Sequence, residues 1–331
     1  MWRSYYGAPS YTASASNDPD DDFAMIGISA ICAEIPEQRI PTESRIDALG
    51  IPAKTLHDRV GVMKTSRKAV NHDTADLCVA AAKKLFATGR VAPADVDCLI
   101  VVTQNPDGQG IPQTSAIVQD RLGVPEHCAS FDVSLGCSGY VYGLSIIKSF
   151  MQDNGLRCGL LFTADPYSKI VSESDRSTAL LFGDAATVTL MTDTPVWKIG
   201  KFDFGTAGRM GQAIHKTAEG TLSMDGRAVL AFSMGQVPGS LQRVAAANGI
   251  TLEQIDRFVL HQGSRVVVEN ISQRLKVEEK TAFHAQDYGN TVSSSIPIVL
   301  SEKLLESDRR IAISGFGVGL SWASAVLEKL V

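Results

Sequence analysis

Three polar side chains in this 331-residue chain stand at expected strand or loop ends. Cys137 closes Phe131-Asp-Val-Ser-Leu-Gly-Cys, His261 follows Arg257-Phe-Val-Leu, and Asn290 follows Tyr288-Gly. Sheets with helices on both faces place their sites at such strand ends. Taken singly, each residue has a plain structural use. A free cysteine behaves as a small packed hydrophobe, a lone histidine after a strand satisfies a buried hydrogen bond, and asparagine after glycine forms a turn or caps a helix. Together they supply a nucleophile, a neutral imidazole and an amide donor. That set suits chemistry on a thioester, where sulfur attacks a carbonyl and an enolate oxygen needs hydrogen bonds.

The elements that must position them follow from periodicity. After Cys137, residues Val141, Leu144, Ile147, Phe150 and Met151 recur at helical steps, which predicts a helix with one buried face. Gly139 and Gly143 lower helix propensity and are expected to permit close approach of another backbone. Cys137 is thus expected at a helix N-terminus, where orphan N–H groups and the helix dipole favour a thiolate and lower the thiol pKa. Elsewhere the chain alternates apolar strands with amphipathic helices, the pattern of a largely parallel α/β sheet. Strands are expected at 23–30, 98–103, 159–164, 178–182, 187–191, 257–261, 280–284, 310–314 and 320–327. Helices are expected at 43–49, 74–87, 113–122, 229–248, 265–275 and 292–306. Residues 193–228 read as irregular, and Gly315-Phe-Gly-Val-Gly319 reads as a tight loop exposing N–H groups towards a substrate oxygen.

Composition narrows the class. The chain is 44% hydrophobic and 20% charged, with a formal charge of −5, an ordinary globular balance without the basic footprint of a nucleic-acid binder. No apolar run approaches the roughly 20 residues of a membrane span. Residues 1–22 are polar and acidic, lack a signal-peptide pattern, and read as an N-terminal arm on which Trp2, Tyr5, Tyr6 and Tyr11 are a lesser candidate for surface docking. Six cysteines show no C-x-x-C pair, so neither a zinc site nor a disulfide framework is expected, and a cytoplasmic location is. The glycine run leads into a strand and not a helix, which argues against a dinucleotide site. No G-x-S-x-G elbow occurs.

The motifs Phe131-Asp-Val-Ser-Leu-Gly-Cys-Ser-Gly-Tyr, Leu181-Phe-Gly-Asp-Ala-Ala, His261-Gln, Tyr288-Gly-Asn-Thr and Gly315-Phe-Gly-Val-Gly-Leu-Ser-Trp occur in this order. On them, residues 23–331 resemble a thiolase-fold condensing enzyme of the ketoacyl-acyl-carrier-protein synthase III type. The resemblance implies two similar halves, 23–192 and 193–331, in a five-layer αβαβα sandwich, and a homodimer. It implies that Cys137 takes an acyl group from a thioester of coenzyme A or acyl carrier protein, with no tightly bound cofactor or metal. His261 and Asn290 would then serve a decarboxylative condensation with a malonyl-type or β-ketoacyl donor, in fatty-acid or polyketide synthesis. The N–H groups of Cys137 and Val318 would form the oxyanion hole, and Arg59, Ile111, Arg176, Ser264 and Phe316 would contact substrate. The chain departs from the family pattern where a coenzyme-stacking tryptophan becomes Thr55, a channel asparagine becomes Ser264, a nearby arginine becomes Val266, and a pocket-closing phenylalanine from the partner subunit becomes Ile111. These departures favour carrier-protein donors or an unusual acyl chain. Two other readings stay open: acyl transfer to an oxygen or nitrogen nucleophile without decarboxylation, and a non-catalytic subunit.

Overall fold

A computed structural model describes residues 25–330; the expected arm, 1–22, lies outside them. Nine strands carry the architecture. They are β1 (Gly27–Glu34), β2 (Cys98–Val102), β3 (Ala129–Val133), β4 (Cys158–Ala164), β5 (Ala186–Thr192), β6 (Trp197–Thr206), β7 (Arg257–Leu260), β8 (Arg310–Gly317) and β9 (Ser321–Lys329). The order β3-β2-β4-β5-β1 forms one portion, and β6-β9-β8-β7 the other. A single pair, Ile28 with Trp197, joins them.

The two portions repeat one pattern. From β1 the pairings run antiparallel to β5, antiparallel to β4, parallel to β2 and parallel to β3. From β6 they run antiparallel to β9, antiparallel to β8 and parallel to β7. A lone parallel bridge from Phe258 to Thr281 stands where the counterpart of β3 would be. Six helices fall in the same order in each half: α1 (Thr74–Ala87), α2 (Thr114–Leu122) and α3 (Gly139–Asp153), then α4 (Gly226–Ala247), α5 (Arg265–Leu275) and α6 (Ser295–Glu302).

Helices α3 and α6 pack against strands of both portions, while α1 and α2 cover one outer face and α4 and α5 the other. The result is a five-layer αβαβα sandwich. Period-two alternation makes it possible: Cys98, Ile100 and Val102 face the central helices, whereas Leu99 and Val101 face α1 and α2. Buried on both faces, β2 is therefore a continuous apolar run. Helix α3 lends Val141, Leu144, Ile147 and Met151 to the central core; each large side chain so buried contributes about 1.5–3 kcal/mol. Helix α1 starts at a capping box, with Asp73 accepting the Thr74 N–H at 2.8 Å and Asp76 accepting the Asp73 N–H at 2.6 Å.

Several expectations need correction. The stretch 193–228 is not irregular, since its residues 197–206 form β6, a ten-residue strand paired along β9. Gly200 and Gly205 hid it, because they sit where a Cβ would strike Asn248 and the Trp322 ring. Residues 178–182 form turns with one bridge, Phe182 to Asn290, and 280–284 contribute only Thr281. The segment 315–317 belongs to β8, so the loop narrows to the turn before β9. Helix α6 stops at Glu302, and β1 starts at Gly27. Gly139 and Gly143 do permit close packing, but against the side chains of Val102 and Leu161 and not against backbone.

Candidate active site

Cys137 lies between the end of β3 and the first turn of α3, one residue before the Ser138 cap. Gly136 accepts the Gly139 N–H at 2.7 Å, and Ser138 Oγ meets Ser321 Oγ at 2.8 Å, which ties the turn to β9. Strand β8 passes directly over it. A Cβ on Gly315 would stand 2.7 Å from the Cys137 carbonyl oxygen, and one on Gly317 would stand 2.7 Å from Sγ. Phe316, between them, turns to the opposite face and meets the His261 ring edge-on, with centroids 5.6 Å apart. The alternation Gly-Phe-Gly thus lets one strand touch the thiol and wall the imidazole.

The thiol is only 6% exposed. Burial pushes it up to about 12, against the pull of the Val318 N–H and its own N–H, while the Asp165 carboxylate pushes it further up. The expected lowering is therefore reversed: desolvation outweighs the helix terminus. The resting group is a thiol with the Val318 and Cys137 N–H groups directed at its sulfur.

His261 follows β7, and its backbone N–H donates to Ser314 O on β8 at 2.8 Å. The ring Nδ1 lies 2.7 Å from Ser295 Oγ at the start of α6. Burial holds the imidazole down to about 3, with the Val292 carbonyl as the opposing influence, so the ring is neutral at physiological pH. Asn290 occupies, in the second half, the place that Cys137 occupies in the first. Its N–H donates to Leu181 O at 2.8 Å and its carbonyl accepts the Gly183 N–H at 3.0 Å. The side-chain Oδ1 accepts the Val292 N–H at 2.9 Å, which turns Nδ2 towards Gly263 O, 3.5 Å away.

The motif around Gly183 is scaffold for that loop. A Cβ there would collide with the Tyr288 carbonyl, and Asp184 accepts the Lys68 and Ser168 N–H groups at 2.9 and 3.1 Å.

Cys137, His261, Asn290, Ser264, Phe316 and Val318 line one cavity of about 80 Å³, walled otherwise by Tyr167, Phe182, Ile214, Met224 and Val229. A groove of about 760 Å³ adjoins it, sharing Leu181, Met224, Gly226, Ser264 and Val267. Arg59, Arg176 and Arg227 line this groove together with Thr55 and Val266. Ile111 lines neither and is 92% exposed. The arrangement offers a buried thiol, two backbone donors beside it, two polar side chains opposite, and a cationic approach.

Sequence reasoning overlooked Arg227, Ser295 and Asp165. Asp165 is fully buried and accepts the Gln104 N–H at 2.7 Å and the Ser293 hydroxyl at 2.6 Å, joining the turn after β2 to the segment that follows Asn290. Burial pushes its carboxyl up to about 6. It stands at the end of an apolar strand, the same signal that singled out His261. Among the described residues, no group of three or more metal-ligating side chains is assembled, and no helix is long and apolar enough to cross a membrane.

Comparison with known proteins agrees with this geometry. The family described as 3-oxoacyl-(acyl-carrier-protein) synthase III matches residues 131–208, and its C-terminal part matches 245–329. The beta-ketoacyl-(acyl-carrier-protein) synthase III of Lactobacillus helveticus is 32% identical over 328 residues, spanning 92% of this chain and 99% of that protein. A crystal structure of a 3-oxoacyl-(acyl-carrier-protein) synthase III superposes with a TM-score of 0.84 at 35% identity, covering 92% of this chain and 99% of the other. The corresponding enzyme of Thermus thermophilus gives 0.84 at 29% identity, over 91% and 98% of the two chains. The chain therefore belongs to the beta-ketoacyl-(acyl-carrier-protein) synthase III family and is a condensing acyltransferase of the thiolase fold.

Proposed function

We propose that the chain joins an acyl group to a malonyl-type unit in two half-reactions at the Cys137 cavity. In the first, the Cys137 sulfur attacks the carbonyl of a thioester that has entered along the groove. The tetrahedral oxyanion accepts hydrogen bonds from the Cys137 and Val318 N–H groups. The donor's C–S bond then breaks, the thiol proton passes to the departing sulfur, and Cys137 carries the acyl group. In the second, a malonyl-type thioester loses CO₂, and the electron pair of the broken C–C bond forms an enolate. Its oxygen accepts hydrogen bonds from His261 and Asn290. The enolate carbon attacks the Cys137 thioester, the sulfur leaves as thiolate, and one proton is taken up per turn.

The observation that carries this reading is the meeting of Cys137, His261 and Asn290 in one buried cavity, from three separate segments of the chain. A neutral His261 is compatible with the second step, because a neutral imidazole keeps one N–H donor for an enolate oxygen. The groove arginines Arg59, Arg176 and Arg227 suit the phosphate of a pantetheine arm. Thr55, in place of a stacking ring, favours an arm borne by an acyl carrier protein over one borne by coenzyme A.

A second copy of the chain is the proposed partner at the β3 edge. All five residues of β3 are half-buried and its outer side carries no partner strand among the described residues; Phe204 of β6 also stands exposed, beside Tyr142, with ring centroids 4.8 Å apart. Ile111 would then reach the neighbouring cavity.

The test is intact-protein mass spectrometry after incubation with a panel of acyl thioesters, with CO₂ release from malonyl thioesters measured in parallel. The expected result is a single acyl adduct on Cys137, absent from Cys137→Ala, followed by CO₂ release. Acyl transfer to an alcohol or amine without CO₂ release from any donor would replace this reading with the non-decarboxylating one.

A further inference from the structure

We infer that the Ser295 hydroxyl sets the tautomer and orientation of His261, leaving the proton on Nε2, so that the imidazole enters the cavity as a hydrogen-bond donor and not as a base. The inference deepens the reading of His261 given above and rests on it.

The argument is one of hydrogen-bond satisfaction. Ser295 is fully buried, and a buried hydroxyl must place its proton. A serine inside a helix can donate to the carbonyl four residues back, as Ser233, in the interior of α4, does to Val229 O at 2.8 Å. Ser295 does not. Among the described residues its Oγ has two partners: the Gln262 N–H, which donates to it at 3.4 Å, and His261 Nδ1 at 2.7 Å. The first is a donor and occupies a lone pair. The second is then the one acceptor available to the hydroxyl proton, which makes Nδ1 the unprotonated nitrogen.

A neutral imidazole carries one N–H, so the proton resides on Nε2. Two further contacts hold the ring in place. Phe316 closes against it edge-on, and the His261 backbone is pinned to Ser314. The Val292 carbonyl also faces the ring; it accepts the Ser295 N–H and keeps a second lone pair, so a ring N–H donating to it is the competing arrangement that the test must exclude. The consequence is a division of labour. An Nε2–H beside the Asn290 amide gives two fixed donors for one oxygen, while the Cys137 proton leaves with the donor's sulfur and needs no acceptor on His261.

The primary test uses the wild-type protein labelled with ¹⁵N-histidine, with the His261 signals assigned by their loss in His261→Gln. At pH 7 the expected spectrum shows a protonated Nε2 and an unprotonated Nδ1. A protonated Nδ1, donating to Ser295 or to the Val292 carbonyl, overturns the inference. The kinetic arm compares Ser295→Ala with Ser295→Thr. Loss of the outer partner that orients a metal-bound histidine typically costs about 10–100-fold; by the same reasoning Ser295→Ala should release CO₂ about 10–100-fold more slowly while forming acyl-enzyme at close to the wild-type rate. Threonine, which keeps the hydroxyl, should restore most of the loss. Equal loss of both half-reactions in Ser295→Ala, unrepaired by threonine, contradicts the positioning role. The spectrum stands apart from the reaction: a protein that forms no acyl-enzyme would defeat the proposed function, yet its tautomer would still decide this inference.

Discussion

Replacing Gly317 by alanine tests the contact between β8 and the proposed nucleophile, Cys137. The new Cβ would stand 2.7 Å from the Cys137 Sγ and 2.8 Å from its Cβ, whereas carbon contacts are optimal near 3.5–4.0 Å. Something must move by about 1 Å. The backbone φ of +154° adds cost, since that region belongs almost wholly to glycine and costs other residues of order 1–3 kcal/mol. Overpacking contributes a further ~1–3 kcal/mol, so a stability loss of about 2–6 kcal/mol is expected. Acylation should fall more than stability alone predicts, because a misplacement near 1 Å costs about 10²-fold in rate. Urea unfolding and the rate of acyl-enzyme formation measure the two effects. Gly235→Ala is the control, since no atom lies within 4 Å of its added Cβ inside α4. It should stabilise by about 0.5–1 kcal/mol and leave acylation unchanged. Wild-type acylation in Gly317→Ala would refute the claim that this strand positions the thiol.

Two further outcomes are expected. Burial lifts the Asp165 carboxyl from 3.8 to about 6. Between these values the folded protein holds a proton that the unfolded chain has released, so this residue's contribution falls as pH rises. Relative to wild type, Asp165→Asn should therefore gain about 2 kcal/mol between pH 4 and 7, read from urea unfolding at each pH; a constant offset would show that Asp165 does not titrate there. Ile111→Phe should shorten the range of accepted acyl chains if Ile111 closes the partner's cavity, and an unchanged profile in competition kinetics would remove it from that role.

Much of the fold was legible because the buried strands and helices have strong periods: α1, α5 and β2 fall within one residue of their expected bounds. What escaped was decided by tertiary contact. Strand β6 reads poorly since most of its side chains are only partly covered and two glycines yield space to Asn248 and Trp322. The meeting of Cys137, His261 and Asn290 was suggested by motif order, yet no spacing encodes it; the internal repeat brings the two strand ends together. The thiol's state was misjudged for a related reason. A helix N-terminus is visible in sequence, but the Gly317 lid that desolvates the sulfur is a long-range contact. Ser295 and Asp165 escaped because a serine near a helix start and an acid after a strand each have commoner uses.

The most direct test of the central claim is the pair of half-reactions in Asn290→Ala. The side chain of Asn290 takes no part in the proposed oxyanion hole, so acyl-enzyme mass on Cys137 should accumulate as in wild type. The enolate step loses one of two donors, and CO₂ release should fall by about 10²–10³. An Asn290→Ala protein that releases CO₂ and condenses at the wild-type rate would contradict the account, leaving Asn290 as a residue that shapes its turn.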